Sequence, residues 1–230
     1  MFGFLISIYR KFLWYIIFLL RETKQIIMNT KERIIEKSLT LFSKRGYNAV
    51  TVRDIASAVG IKASSLYNHF ENKQNIFNTI VDKYTTINES FFDSLNQSDY
   101  LNSLFDFEHN CISNVKLTEL SLRIYNFFSD DNHIVKFRQM LTIEKYQNSK
   151  LSKLYTKIFI DDILNYHSRF FQTLIDIKYI KTNADPRLLA IEFYSPLFLL
   201  INKVDTPQEI QQHFLKNHIS TFTNTYLLKG

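Results

Sequence analysis

What most restricts this chain is a shortage. Its 230 residues include only 4 glycines and 3 prolines, against roughly 7% and 5% in average usage. Tight hairpin turns depend on those two residues, so the sequence predicts an all-α fold of long helices joined by few turns. Hydrophobic residues make up 46% of the chain and aromatic residues 15%, well clear of the composition that stays disordered. The length suits two modest domains or one large one. The formal charge of +6 is compatible with a polyanionic partner, although net charge speaks to association rather than fold. Cys111 is the single cysteine; it excludes an internal disulfide and a thiolate metal cage and points to a reducing, cytoplasmic setting.

The opening MFGFLISIYRKFLWYIIFLL is strongly apolar, but Arg10 and Lys11 divide it into runs well short of the ~20 residues a spanning helix needs. Its charges are also misplaced for a secretory signal. Residues 1–27 therefore read either as an amphipathic, membrane-surface helix with aromatic anchors or as an upstream extension ahead of a start at Met28. The second reading is preferred, and a membrane partner is not expected.

From Asn29 to Arg45 the chain reads as a helix. Asn29 is its cap, Glu32 stands at the capping-box position, and Ile35, Leu39 and Phe42 follow at helical spacing, with Gly46 as the stop. Thr51-Val52-Arg53-Asp54 is a second capping box, followed by inward-facing Ile55, Ala56 and Val59. Gly60 stands where a left-handed residue lets one short helix turn into the next, and a third helix is predicted over about Ala63–Phe70. With Asn72 as cap, Ile76, Phe77, Ile80, Tyr84 and Ile87 carry a fourth helix onward. Amphipathic stretches follow at about Asp99–Asn114, Leu117–Ser129, His133–Gln147 and Leu151–Lys178. Asp185-Pro186 and Thr206-Pro207-Gln208-Glu209 then start helices of about 186–202 and 207–228. The organisation predicted is an apolar extension over 1–27, a helix-turn-helix domain over 28–75 and a larger helical domain over 76–230.

Residues 39–73, LTLFSKRGYNAVTVRDIASAVGIKASSLYNHFENK, supply the decisive pattern. A helix-turn-helix needs a small residue where its helices cross, here Ala56, a glycine at the turn, and a second helix with a polar outer face for the major groove. Leu66 and Phe70, four apart, turn inward and leave Ala63, Ser64, Asn68, Tyr67 and His69 outward. Over Thr30–Ile80 the sequence resembles the TetR family in Leu41-Phe42, Gly46-Tyr47, Thr51-Val52, Asp54-Ile55-Ala56, Gly60-Ile61, Leu66-Tyr67, His69-Phe70 and Lys73, in one register.

The resemblance implies a transcriptional repressor that binds a double-stranded DNA operator as a homodimer. It makes Thr51, Tyr67, His69 and Lys73 phosphate contacts and puts Lys62, Ala63, Ser64, Ser65 and Asn68 nearest the bases; Arg53 is a further candidate contact. Family members often carry serine where Lys62 stands, so this chain has a weaker helix cap there and added charge at the groove edge. Between Asn29 and Ile80, Lys31, Arg33, Lys37, Lys44, Arg45, Arg53, Lys62 and Lys73 outnumber Glu32, Glu36, Asp54 and Glu71, as phosphate binding favours.

For the larger domain the resemblance implies a mainly apolar pocket for a small-molecule inducer, with Phe127, Tyr146, Tyr155, Phe159 and Tyr166 as candidate ligand contacts. Aromatic stripes at helical spacing are ordinarily core, and most of these rings must serve that purpose. The resemblance also implies dimerisation through the helices of about 186–202 and 207–228. No catalytic residue, metal or cofactor is expected. Ser65 and His69 share one short exposed helix with no orienting acid, and His213 and His218 do not share a helical face. Two other readings stay open: a DNA-binding factor without an inducer, and a membrane-associated helical module using residues 1–27.

Overall fold

The computed structural model describes residues 29–96, 105–106, 111–112, 114–180, 184–202 and 208–227. Two compact units divide between Ile80 and Val81. The predicted extension over residues 1–27 lies outside the described residues.

The first unit holds α1 (Thr30–Arg45), α2 (Val52–Val59), α3 (Ala63–Leu66) and the beginning of α4 (Lys73–Asn96). The Asn29 side chain accepts from the Glu32 amide at 2.9 Å to start α1, and Gly46, at φ 74°, ends it. At the start of α2 both halves of the capping box form. The core gathers Ile34, Leu39, Phe42, Val50, Ile55, Leu66, Phe70, Ile76 and Phe77, all essentially closed to solvent. Each such side chain contributes about 1.5–3 kcal/mol by leaving water. Phe42 and Tyr47 both meet the Phe77 ring, with centroids 5.7 and 5.0 Å away. This joins the end of α1 to the start of α4 across the helix-turn-helix.

The second unit continues α4 and adds α5 (Asn114–Ser129), α6 (Asn132–Glu144), α7 (Ser149–Thr156), a π-helical turn (Lys157–Asp161), α8 (Asp162–Asp176), α9 (Pro186–Asn202) and α10 (Gln208–Tyr226). The most extensive helix pairing is α8 on α9. There His167, fully buried, packs on Phe171, Phe193 and Tyr194. Burial drives its pKa down to about 4, so the ring is neutral at ordinary pH. Three polar ties fix the helices. The Tyr125 hydroxyl of α5 donates to Gln211 of α10. The Tyr194 hydroxyl of α9 donates to the Phe159 carbonyl at 2.9 Å. Arg138 of α6 donates to the Ile201 carbonyl at 2.9 Å, an acceptor that the end of α9 leaves orphaned, and to the Asn202 side chain at 2.7 Å.

Three predicted elements are corrected. The stretch Asp99–Asn114 is not one helix: Phe105–Asp106 (β1) and Cys111–Ile112 (β2) pair antiparallel, Phe105 opposite Ile112. Glu108-His109-Asn110 interrupt the apolar spacing that a continuous helix would need. The stretch Leu151–Lys178 is split by the π turn, whose Phe159 carbonyl is taken by Tyr194 from another helix. The third helix ends at Leu66 rather than Phe70. Asn68 and His69 donate to the carbonyls three residues back, at 3.3 and 3.0 Å, the tightening typical of a helix end. At Asp185 the side chain accepts from the Arg187 amide at 2.8 Å, the predicted cap before Pro186. The corresponding Thr206-Pro207 device lies outside the described residues.

Candidate nucleic-acid interface

The interface begins at Thr51. Its hydroxyl accepts from the Asp54 amide at 3.1 Å, and the Asp54 carboxylate accepts from the Thr51 amide at 2.8 Å. That backbone hydrogen bond foremost, then the Thr51 hydroxyl and the nearby Arg45 guanidinium, hold the Asp54 carboxyl below its usual pKa. The helix start is thus fixed with Thr51 and Arg53 on the surface. At the other end of α2, Gly60 takes the left-handed conformation (φ 78°, ψ 35°) and its amide meets the Ala56 and Ser57 carbonyls. The Arg33 guanidinium of α1 closes the same end by donating to the Val59 carbonyl at 2.5 Å.

The chain then enters α3 at Lys62, which makes no side-chain cap, as the missing serine implies. Leu66 and Phe70 are buried. Lys62, Ser64, Tyr67, Asn68 and His69 are exposed, and Ala63 and Ser65 are half-buried. Tyr67 shows 54% of its surface, a large exposure for a ring next to the buried Leu66. The outer side of the segment after Gly60 is therefore polar and open, the surface a major groove can receive.

Lys73 sits differently. Its ammonium donates to the Tyr47 and Val50 carbonyls at 2.8 and 2.9 Å and lies 4.0 Å from the Tyr47 ring centroid. The group is engaged in closing the loop between α1 and α2. Sequence reading missed this lock, because its partners stand 26 and 23 residues away. It also missed Arg33, whose only sequence signal is a long cation one turn into α1.

The family model described as bacterial regulatory proteins, tetR family, matches residues 34–80, the segment that builds this surface. Over those residues the chain is similar to the TetR family. IcaR of Staphylococcus aureus, a helix-turn-helix negative transcriptional regulator of the biofilm operon icaADBC, is 28% identical over 183 residues, which is 75% of this chain and 97% of IcaR. Among solved structures, a Mesorhizobium loti regulator assigned to the TetR family superposes with a TM-score of 0.62 at 18% identity, over 86% of this chain and 97% of the other. SmeT of Stenotrophomonas maltophilia, a repressor solved with triclosan, gives 0.62 at 17%, over 88% and 94%. These likenesses place the helical fold of those structures across most of the chain.

In the second unit, four of the five candidate ligand contacts belong to one aromatic cluster. Phe127 stacks on Phe91, with centroids 3.8 Å apart and planes 3° from parallel. Phe159 meets Phe128 and Tyr155 at 5.7 and 5.0 Å, and Tyr166 meets Phe92 at 6.0 Å. Tyr146 does not join them. It is 82% exposed, because it follows the end of α6 where the chain turns outward, and its ring carries Lys145 at 5.1 Å.

The predicted dimer helices also divide into two faces. Leu189, Tyr194, Leu197, Ile201, Ile219, Phe222 and Leu227 are core, while Leu188, Ile191, Leu199, Ile210 and Phe214 are exposed. No described helix is long and apolar enough to cross a membrane.

Proposed function

We propose that the chain is a cytoplasmic, ligand-responsive repressor that binds a palindromic operator as a homodimer. The observation that carries this reading is the exposed polar surface of residues 62–69 on its buried Leu66–Phe70 base. Ser64 and Asn68 read base edges, with Ala63 and Ser65 beside them. Lys62 stands beside them at the groove edge, Thr51, Arg53, Tyr67 and His69 position the phosphates, and Lys73 supports the loop beneath them. Major-groove readers of this type pair to span half-sites about 34 Å apart, so a single head would bind weakly. The exposed stripe of Leu188, Ile191 and Leu199 on α9, with Ile210 and Phe214 on α10, is the dimer face, since apolar surface of this kind marks an interaction site.

The aromatic cluster around Phe127, Tyr155, Phe159 and Tyr166 is the ligand site. That SmeT was solved with triclosan supports an aromatic inducer. A ligand releases the operator only by binding the DNA-free state more tightly. Footprinting the purified chain on the DNA that flanks its own gene tests the reading. A protected palindrome is expected, and no preference over random duplex would refute it.

A further inference from the structure

Along α4, Ile80, Tyr84, Asn88, Phe92 and Leu95 follow at spacings of four and three, the inward stripe of the helix. All are buried, and one of them is an amide. Asn88 is only 2% exposed, and neither its Oδ1 nor its Nδ2 has a hydrogen-bond partner. One turn before it, Tyr84 stacks on Phe137 at 5.4 Å. One turn after it, Phe92 meets Phe128 and Tyr166 at 6.4 and 6.0 Å. Asn88 thus stands on the face that borders the aromatic cluster, and Thr85 Oγ1, on the adjoining turn, is likewise buried without a partner. A buried amide with both atoms unsatisfied is costly in a folded protein and calls for an explanation.

We propose that Asn88 is the recognition group of the ligand site and that it selects an uncharged planar aromatic amide or lactam. The proposal rests on the ligand-responsive reading above. A carboxamide offers one donor and one acceptor side by side, and a lactam presents the complementary pair, so two parallel hydrogen bonds form whichever way the Asn88 amide is turned. Flat apolar area on the ligand meets the Phe92, Phe128 and Phe159 rings in offset or edge-on contact. The Asn88 amide itself carries no charge to pair with an ionised ligand. His167 is neutral, burial raises the Tyr194 hydroxyl so that it stays protonated, and two of the Arg138 guanidinium nitrogens already serve Ile201 and Asn202. An ionised group set against Asn88 would lose its hydration without gaining an ion pair there.

The test uses the full chain and three probes: carbostyril, N-methylcarbostyril and quinaldate. Calorimetric titration should show carbostyril binding about 10-fold or more tighter than its N-methyl form, which lacks the donor. N88L keeps the branched side-chain shape and removes both polar atoms; it should bring that ratio to about one and raise the melting temperature by about 2–6 °C. N88A, which cannot overfill the site, should abolish the ratio as well. A ratio near one in the unmodified chain, or one that survives in both variants, overturns the Asn88 assignment. Quinaldate binding more tightly than carbostyril overturns the uncharged class, and binding of none of the three overturns the aromatic lactam. Operator affinity measured on the same samples separates the two layers: carbostyril saturating the protein without weakening operator binding would sink the ligand-responsive reading and leave Asn88 its role in recognition.

Discussion

Replacing Lys73 with methionine keeps the unbranched stem and removes the ammonium. Two carbonyls, of Tyr47 and Val50, then lose donors at 2.8 and 2.9 Å, and the Tyr47 ring loses a cation 4.0 Å from its centroid. Hydrogen bonds to a charged group contribute about 1.5–3 kcal/mol each, and a cation over an aromatic face about 0.5–1 where water has access. Because the lysine is only half-buried, the low end applies, and the carbonyls partly recover by binding water. The expected loss is about 2–4 kcal/mol, which lowers the melting temperature of a chain this size by about 4–16 °C.

A phosphate-gripping lysine behaves in the opposite way. Its removal reduces the dependence of log affinity on log salt by about one unit and leaves melting unchanged. Calorimetric melting of K73M, paired with operator gel shifts across a salt series, separates the two. A markedly lower melting temperature with an unchanged salt slope is expected. Normal melting with a shallower slope would refute the structural role and return Lys73 to the DNA backbone.

Thr51→Ala removes one half of the capping box and should cost about 0.5–2 kcal/mol, read by urea denaturation. In the same variant the Asp54 carboxyl should titrate closer to its usual range by NMR; its depressed pKa stabilises the fold above the unfolded value, and that contribution fades as acid carries the pH down through the folded value. His167 acts in the neighbouring range. Its folded pKa of about 4 lies below the ordinary 6.5, so the unfolded chain takes up its proton first. Stability is complete above about pH 6.5 and falls toward pH 4 by about 3 kcal/mol, a slope that H167N should flatten in pH-resolved denaturation. Glutamate at Leu199 and Phe214 together should leave the fold intact and turn the proposed dimer into a monomer by sedimentation; an unchanged dimer would place the interface elsewhere. Asn68→Ala should change which base pairs are preferred in a binding-site selection, whereas Arg53→Ala should weaken all duplexes alike.

The helix starts were legible because each is set by residues three or fewer apart: Asn29 with Glu32, Thr51 with Asp54, Asp185 with Arg187. The inward and outward sides of the recognition segment followed from the four-residue spacing of Leu66 and Phe70. Its length did not, since tightening after Leu66 costs little and leaves no sequence mark. The destinations of long side chains were not legible either. Lys73 looks like any exposed cation until its ammonium is seen between two carbonyls more than twenty residues away. Tyr146 resembles the other aromatics of its domain until the end of α6 turns it outward. The signal at Asn88 was present, as an amide interrupting a run of apolar residues four apart, but only burial on all sides shows that the interruption lies indoors.

The bend at Gly60 carries a last consequence for drift at that site. A β-carbon built there would meet no atom within 4 Å, so crowding imposes no veto; the whole restriction comes from handedness, through φ at 78°. For an L-residue that conformation costs about 1–2 kcal/mol, least for asparagine and aspartate. Natural variants at this elbow should therefore be graded by torsional tolerance and not by bulk, asparagine surviving where the smaller alanine fares worse, an order that melting temperatures of the two substitutions would reveal.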